Sequence, residues 1–475
     1  MPVGRLVLLA LGLLVSTVVP RLLAFPVVDL GPDEVAYGLI ARGIAEGHWP
    51  YSVAFDHKPV GLYLPFVPAV ALFEDSMTGL RVLALVTGVL GYALAYAVAR
   101  RLRLAVLPSV LLAAAFGWFT LGIDGLAMLS EHLLNVYLLA LVWLLLVRVN
   151  AVVAAAVGGL VALAFGTNYL IGPVVAAIGL FFLWRSRRRP SLWAWSALGF
   201  VAVTAALLAP VALWSDLGDY LGLQYSFLSG YEPEWASQAA RISAWQRFLA
   251  PALSVLALAG AVVAVVPRAR TAAALKWWAL AGLTTVSVSV NQFFYPHYAL
   301  LLAPVVVGLF AVLLRELTGR EAAWLAALVA AATAWGLALP TVPALTVGAR
   351  SIARQHDLAS DRTDPRMRAA LALREVVGRG EVVYTRDVHY YLLTGTEAPT
   401  RFFFPSHHLL ERYTAVRDTT LAEEMEGVVA RRPVAVVLDE VATVPRAQDG
   451  VLLGYLERSC DPPLRVEEAR IWVCR

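Results

Sequence analysis

Charge is scarce in this sequence. Only 15% of its 475 residues are Asp, Glu, Lys or Arg, against 60% that are hydrophobic. That leaves too little polar surface to solvate the several soluble domains a chain of this length could otherwise form. Cysteine is nearly missing as well, with only Cys460 and Cys474 present, which excludes a disulfide-dense scaffold. If the C-terminus faces an oxidising compartment the two could pair across the last strand, while two small half-buried thiols fit the sequence equally. There is no internal repeat, and no low-complexity tract beyond alanine- and valine-rich runs. The interleaved basic and aromatic residues that single-stranded nucleic acid needs are also absent, which argues against a nucleic-acid partner. The net charge of +4 does not reverse this, because the basic residues lie in short loops between apolar runs, where they set membrane topology.

What the sequence has in abundance is apolar runs of membrane length. Stretches able to cross about 30 Å of hydrocarbon fall near 4–24, 79–99, 104–119, 132–148, 151–167, 170–184, 191–213, 248–266, 273–289, 298–315 and 322–343, or about eleven spans. The first resembles a signal peptide, with Arg5 ahead of an apolar core. The core is long and no small-x-small cleavage site follows, so it reads as a retained transmembrane helix. The run 60–73 is short and holds two prolines, which fits an interfacial or re-entrant segment better than a span. With that assignment Arg5, Arg100–Arg103, Arg148, Arg185–Arg189, Arg268–Arg270 and Arg315–Arg320 all fall on one side of the membrane, the cytoplasmic one. The protein is thus expected in the cytoplasmic membrane, and the other, exoplasmic, side receives the loop 25–78 and everything after about 345.

The exoplasmic loops collect the polar side chains. The segment Asp29-Leu-Gly-Pro-Asp-Glu34 follows the first span, and Asp56-His-Lys-Pro59 comes later in the same loop. Pro32 followed by Asp33 and Glu34 is a good helix start, with carboxylates at the positive end of the dipole. Val35, Leu39, Ile40 and Ile44 share one face of that helix, which predicts a short helix lying on the membrane surface. Two adjacent carboxylates near low-dielectric lipid also have the setting that raises a pKa and makes a general base. Helix-dipole compensation accounts for one of them equally well. Lys58 at the interface can pair with a lipid phosphate or simply snorkel. Glu131 heads an apolar helix, where an unpaired acid is costly, so it either contacts substrate or metal or pairs with Arg81 or His132. Tyr295, His297 and Tyr298 read as part of a site or as an aromatic belt. Asp124 belongs to the same layer. Glu232 and Glu234 lie in 214–247, which reads as a solvated loop. His389, His407 and His408 read as ordinary surface or half-buried residues.

The ordered set Gly-Pro-Asp-Glu-Val-Ala-Tyr37, Asp56-His-Lys-Pro-Val-Gly-Leu-Tyr63, Arg81, Ser130-Glu131 and Phe294-Tyr-Pro-His-Tyr298 resembles the C-type (GT-C) membrane glycosyltransferases. Within them it is most similar to the protein O-mannosyltransferase and lipid A aminoarabinose transferase family, including bacterial dolichyl-phosphate-mannose-protein mannosyltransferase-like members. The likeness covers roughly residues 5–315. It implies an α-helical polytopic membrane protein with a GT-C bundle that moves a sugar from a polyprenyl-phosphate carrier to a protein, lipid or glycan acceptor on the exoplasmic face. It also implies Asp33 as the base, with Glu34 beside it, and Lys58 for the donor phosphate, assisted by His57 and Arg81. Tyr37, Glu131, His297 and Tyr298 are then expected to line the substrate. The aminoarabinose transferases carry an acidic residue where His57 stands here. A divalent metal bound by His57, His297 and nearby acids therefore stays an open alternative, with no fixed ligand spacing to mark it. Rival readings are a lipid-linked-sugar transporter or flippase and a non-catalytic envelope scaffold. The absence of repeats disfavours a transporter, and retention of Asp33, Glu34 and Lys58 disfavours a scaffold.

The division expected is a membrane module over 1–344 and a small α/β exoplasmic domain over 345–475. In the latter Arg366–Val377, Leu421–Ala430 and Val451–Arg458 read as helices, and Glu381–Thr385, Val434–Asp439 and Ile471–Cys474 as strands.

Overall fold

Backbone N–H and C=O groups find no water in hydrocarbon, so an apolar run must satisfy them within itself. Each run read as a span is helical over its described residues in the computed structural model, which describes residues 3–28, 30–49, 51–52, 54–73, 76–122, 125–230, 237–265, 271–289, 294–317, 319–338, 341–404, 414, 417, 419–439 and 450–475. Asp29, Asp124, Glu232, Glu234, His407 and His408 lie outside the described residues.

The chain divides into two compact units. The first is built from Met1–Ala24, Arg81–Leu207 and Glu232–Arg350, the second from Phe25–Leu80, Leu208–Tyr231 and Ser351–Arg475. The first unit is the membrane bundle. Its helices are α1 (Val3–Leu23, with a π turn over Leu14–Val18), the body of α4 (Ser76–Arg101), α5 (Val106–Leu121), α6 (Ser130–Leu146), α7 (Ala151–Phe165), α8 (Gly172–Arg185), most of α9 (Ser191–Trp214), α11 (Gln238–Val265), α12 (Ala272–Ser289), α13 (Ala303–Arg315, entered through a 3-10 turn over Pro296–Leu302) and α14 (Gly319–Thr333). Among the described residues, four segments, Val3–Leu23, Ser76–Arg101, Ser191–Trp214 and Pro296–Arg315, are individually long and apolar enough to cross a membrane. Every residue of α13 from Ala303 to Leu314 is buried, so it runs through the middle of its unit. Helix α7 meets α9 where Gly158 faces the Ser196 carbonyl and Gly199 faces that of Ala155. A side chain at either glycine would push the two backbones apart.

In the second unit, α2 (Pro32–Ala45) and α3 (Phe66–Ala71) come from the first loop and α10 (Leu217–Gly230) from the segment after α9. The C-terminal part adds α16 (Pro365–Val376), β1 (Val383–Thr385), α17 (Val388–Thr394), α18 (Leu421–Ala430), β2 (Ala435–Asp439), α19 (Gly450–Ser459), β3 (Leu464–Val466) and β4 (Ala469–Val473); α15 (Val342–Gln355) leads into it. The strands form one sheet in the order β1-β2-β4-β3, with β1 parallel to β2 and the other pairs antiparallel. Tyr384, Val436 and Leu438 from the sheet bury against Met425, Val428, Leu452 and Leu456 from the helices. Thr420 and Glu423 close a capping box on α18, which satisfies donors that a helix start leaves open. Cys460 and Cys474 are disulfide-bonded, so the pairing left open by the sequence is made.

Three expectations change. Helix α2 does not lie with one face open on a membrane: every residue from Glu34 to Ala41 is buried, because α3 and α17 pack against it. The segment read as a solvated loop over 214–247 is helical in α10 and again from Gln238 onward. His389 is buried rather than at the surface, since its ring bonds to the carboxylate of Asp387. The run 60–73, kept out of the spans, is a 3-10 turn over Val60–Leu62 followed by the short α3.

Candidate active site in the first loop

Gly31 adopts φ 150° and ψ 145° ahead of Pro32, a backbone state open in practice only to glycine. It turns the chain into α2 so that Asp33 and Glu34 occupy the first turn. Asp33 is half-buried and Glu34 is 0% exposed. Tyr37 follows Glu34 by three residues and so lies on the same helix face, one turn on. Its ring packs edge-on against Phe66 at 5.6 Å and tilted against Tyr63 at 6.3 Å.

The Nζ of Lys58 sits 5.6 Å from the centre of that Tyr37 ring, within range of a cation–π contact. Lys58 is only 8% exposed. What anchors it is its backbone. Its carbonyl accepts from the Tyr51 hydroxyl at 2.6 Å, the Tyr63 hydroxyl at 3.2 Å and Gln224 Nε2 at 3.3 Å. Gln224 Nε2 also donates to the Tyr51 hydroxyl, and Tyr220 of the same helix α10 accepts from the Val60 amide at 3.1 Å. The Tyr51 and Tyr220 rings stack at 4.8 Å. Next door, Asp56 bonds His57 Nδ1 at 3.0 Å and accepts from Tyr63 at 3.2 Å. Burial first, then the Asp56 carboxylate, holds the Tyr63 phenol well above its ordinary value, so it stays a neutral O–H donor. Arg401 ties the loop from outside, bonding Asp219 at 2.5 Å and the Tyr51 carbonyl at 3.0 Å.

Five of the nine expected site residues belong to the second unit: Asp33, Glu34 and Tyr37 on α2, and His57 and Lys58 in the turn whose Lys58 ammonium reaches the Tyr37 ring. The other four belong to the membrane unit. Arg81 is 1% exposed in the first turns of α4, and Glu131 is 1% exposed at the start of α6. Glu131 accepts from the Ser130 hydroxyl at 3.0 Å rather than pairing with Arg81 or His132, and that hydroxyl in turn accepts from Asn168 Nδ2 at 3.2 Å. His297 and Tyr298 enter the 3-10 turn before α13. His297 stacks on Tyr295 at 5.6 Å and meets Tyr298 edge-on at 4.8 Å, an aromatic cluster that packs against α6.

Asp56 and His57 are two ligand-type side chains side by side. Among the described residues, no group of three or more His, Cys, Asp or Glu side chains comes together as a metal cage.

Sequence reasoning passed over Tyr220 and Gln224, which hold the Lys58 turn. Nothing in 214–247 announces them, because their partners lie more than a hundred and fifty residues away in the chain. It also passed over Arg21, which is 2% exposed within α1 and donates to the Thr17 carbonyl and the Thr120 hydroxyl. A cation inside an apolar span is a readable signal.

An α-helical bundle of this kind, joined to a small mixed sheet and carrying an acidic first loop, is the C-type membrane glycosyltransferase fold. The solved structure of ArnT from Cupriavidus metallidurans, a lipid A aminoarabinose transferase, superposes in its apo state over 98% of this chain and 97% of its own, with a TM-score of 0.62 and 15% sequence identity. The same protein bound to undecaprenyl phosphate superposes over 99% of this chain and 98% of its own, with a TM-score of 0.63 and 15% identity. At that identity the likeness establishes the fold. No protein-family model and no curated protein matches the sequence.

Proposed function

We propose that this protein is a glycosyltransferase that moves a sugar from a polyprenyl-phosphate carrier to an acceptor hydroxyl or phosphate (of a protein, lipid or glycan) at the exoplasmic face of the cytoplasmic membrane. The observation that carries the reading is the first loop: two carboxylates opening a protein-enclosed helix, with a nearly buried lysine held against the next turn of that helix. The full-length fold likeness to a protein solved with undecaprenyl phosphate supports a lipid-phosphate donor. The disulfide supports an exoplasmic C-terminal part, because such bonds persist in oxidising compartments.

In this reading the acceptor oxygen attacks the anomeric carbon as the bond from that carbon to the carrier phosphate breaks. Asp33 takes the acceptor proton, and Glu34, buried beside it, helps position the acceptor or tunes Asp33. Lys58 neutralises the charge that develops on the departing phosphate, with His57 and Arg81 assisting. Tyr37 holds the lysine, and Glu131, His297 and Tyr298 contact the substrates. Nucleophile activation and leaving-group stabilisation are the two demands of the reaction, and the loop supplies a group for each.

The test is transfer of radiolabelled sugar from purified polyprenyl-phosphate donors to a membrane extract, with wild type and Asp33→Asn in parallel. Incorporation by wild type alone is expected. Near-normal transfer by folded, membrane-inserted Asp33→Asn removes Asp33 as the base. No transfer by either across several donors, together with translocation of a labelled carrier in vesicles, replaces the enzyme reading with a flippase.

A further inference from the structure

The membrane unit holds a cavity away from the residues discussed above. Between α6, α8, α12 and α13 lies a cleft of about 550 Å³, walled by apolar side chains such as Val142, Ile178, Leu280 and Val312 and rimmed by Arg185, Lys276 and Arg315. Arg185 also lines a cavity of about 430 Å³ with Arg148, Arg187, Arg188 and Arg189. The apolar slot and the basin of five arginines thus share Arg185 in their walls.

The cations in the slot and those in the basin are placed differently. At the slot, Arg315 is paired with Glu316 at 2.6 Å, and Lys276 lies 5.6 Å over the Trp184 ring and 5.9 Å over Phe181. In the basin, Arg185 donates to the Val147 carbonyl at 3.4 Å and Arg187 to that of Trp184 at 3.1 Å. Among the described residues, no carboxylate pairs with any of the five basin arginines. Topology alone accounts for basic residues at this end of the bundle. It does not account for their lining one cavity that shares a wall residue with an apolar slot.

We propose that this is a binding site for an anionic phospholipid, with an acyl chain in the slot and the phosphate in the arginine basin. The guanidinium fork matches phosphate oxygens in pairs, and basic pockets between transmembrane helices suit anionic headgroups. A zwitterionic headgroup would bring its own cation into a basin that already holds five. The slot's volume is of the size that ligand pockets commonly have. The site does not depend on the transfer reaction and uses none of its residues.

The test uses the full chain in neutral detergent, with native mass spectrometry against dioleoyl phosphatidylglycerol, dioleoyl phosphatidylcholine and inorganic phosphate. Phosphatidylglycerol is expected to stay bound where phosphatidylcholine does not. A basic side chain near an anionic headgroup contributes about fivefold in affinity, so Arg185→Gln with Arg188→Gln should weaken phosphatidylglycerol about 25-fold. Ala279→Trp, which fills the slot and leaves every charge in place, should also displace it. Equal retention of the two lipids overturns the proposal, as does an unchanged double variant. Competition by inorganic phosphate reassigns the basin to a free anion, and an ineffective Ala279→Trp reduces it to surface attraction. If the double variant fails to fold, the Ala279→Trp and phosphate arms decide.

Discussion

Lys58 is fixed through its main chain, and its ammonium lies over the Tyr37 ring. Three donors converge on its carbonyl, so Lys58→Met removes the charge while the turn keeps its anchors. Hydrogen bonds to charged groups contribute about 1.5–3 kcal/mol, so kcat/KM for the lipid-linked donor should fall about 10- to 100-fold with an unchanged melting temperature. Unchanged donor kinetics in Lys58→Met would take the phosphate role away from this residue. A second residue-scale case sits in the C-terminal part. Burial alone would raise Asp387, but bonds and charge from His389 (2.6 Å) and Arg366 (2.7 Å) outweigh it and hold the carboxyl well below its ordinary value. A depressed folded-state pKa contributes stability above the unfolded carboxylate value, about 3.9, and loses it as pH falls through the folded one. Hydrogen exchange across Val383–Thr394 should therefore be insensitive to this group from pH 7 to 5 and quicken below about pH 4. Asp387→Asn should cost about 2 kcal/mol at pH 7 and flatten that acid response.

At the scale of elements, α2 shows how a local rule and a tertiary result combine. Its start was legible: Pro32 at the first helical position and two acids in the first turn are what the helix dipole favours. Its surroundings were not. An apolar stripe on a short helix suits a lipid surface and a protein groove equally, and only the packing of α3 and α17 chooses between them. Gly31 governs the entry to this helix. Gly31→Ala forces a backbone state that costs about 1–3 kcal/mol for other residues, so amide protection over Asp33–Ala45 should drop and sugar transfer with it. Protection equal to wild type would show that the turn is not what places Asp33. Helix α10 is the opposite case. Its sequence, from Leu217 to Gly230, has weak periodicity and three glycines, and it is stabilised by what it touches rather than by propensity.

At the scale of the whole molecule, the disulfide closes a 14-residue span from Cys460 to Cys474 in the second unit. A loop of that length contributes about 3 kcal/mol by restricting the unfolded chain. Replacing both cysteines by serine should speed proteolysis and hydrogen exchange of the sheet, while the helices of the membrane unit keep wild-type protection. Loss of protection in both units at once would mean that they unfold as one.

The apolar runs determined the membrane helices on their own, because hydrocarbon leaves the backbone of such a run one way to satisfy itself. The basic loops, the acidic helix start, Lys58 and the α/β character of the C-terminal part were equally readable, since each rests on residues close together in the chain. Tertiary structure alone decided that Gln224 reaches Lys58 across a separation of 166 residues, that Glu34 is enclosed by protein, and that Cys460 meets Cys474. Those outcomes depend on which surfaces find one another, and packing complementarity between distant segments leaves no local pattern in a single sequence.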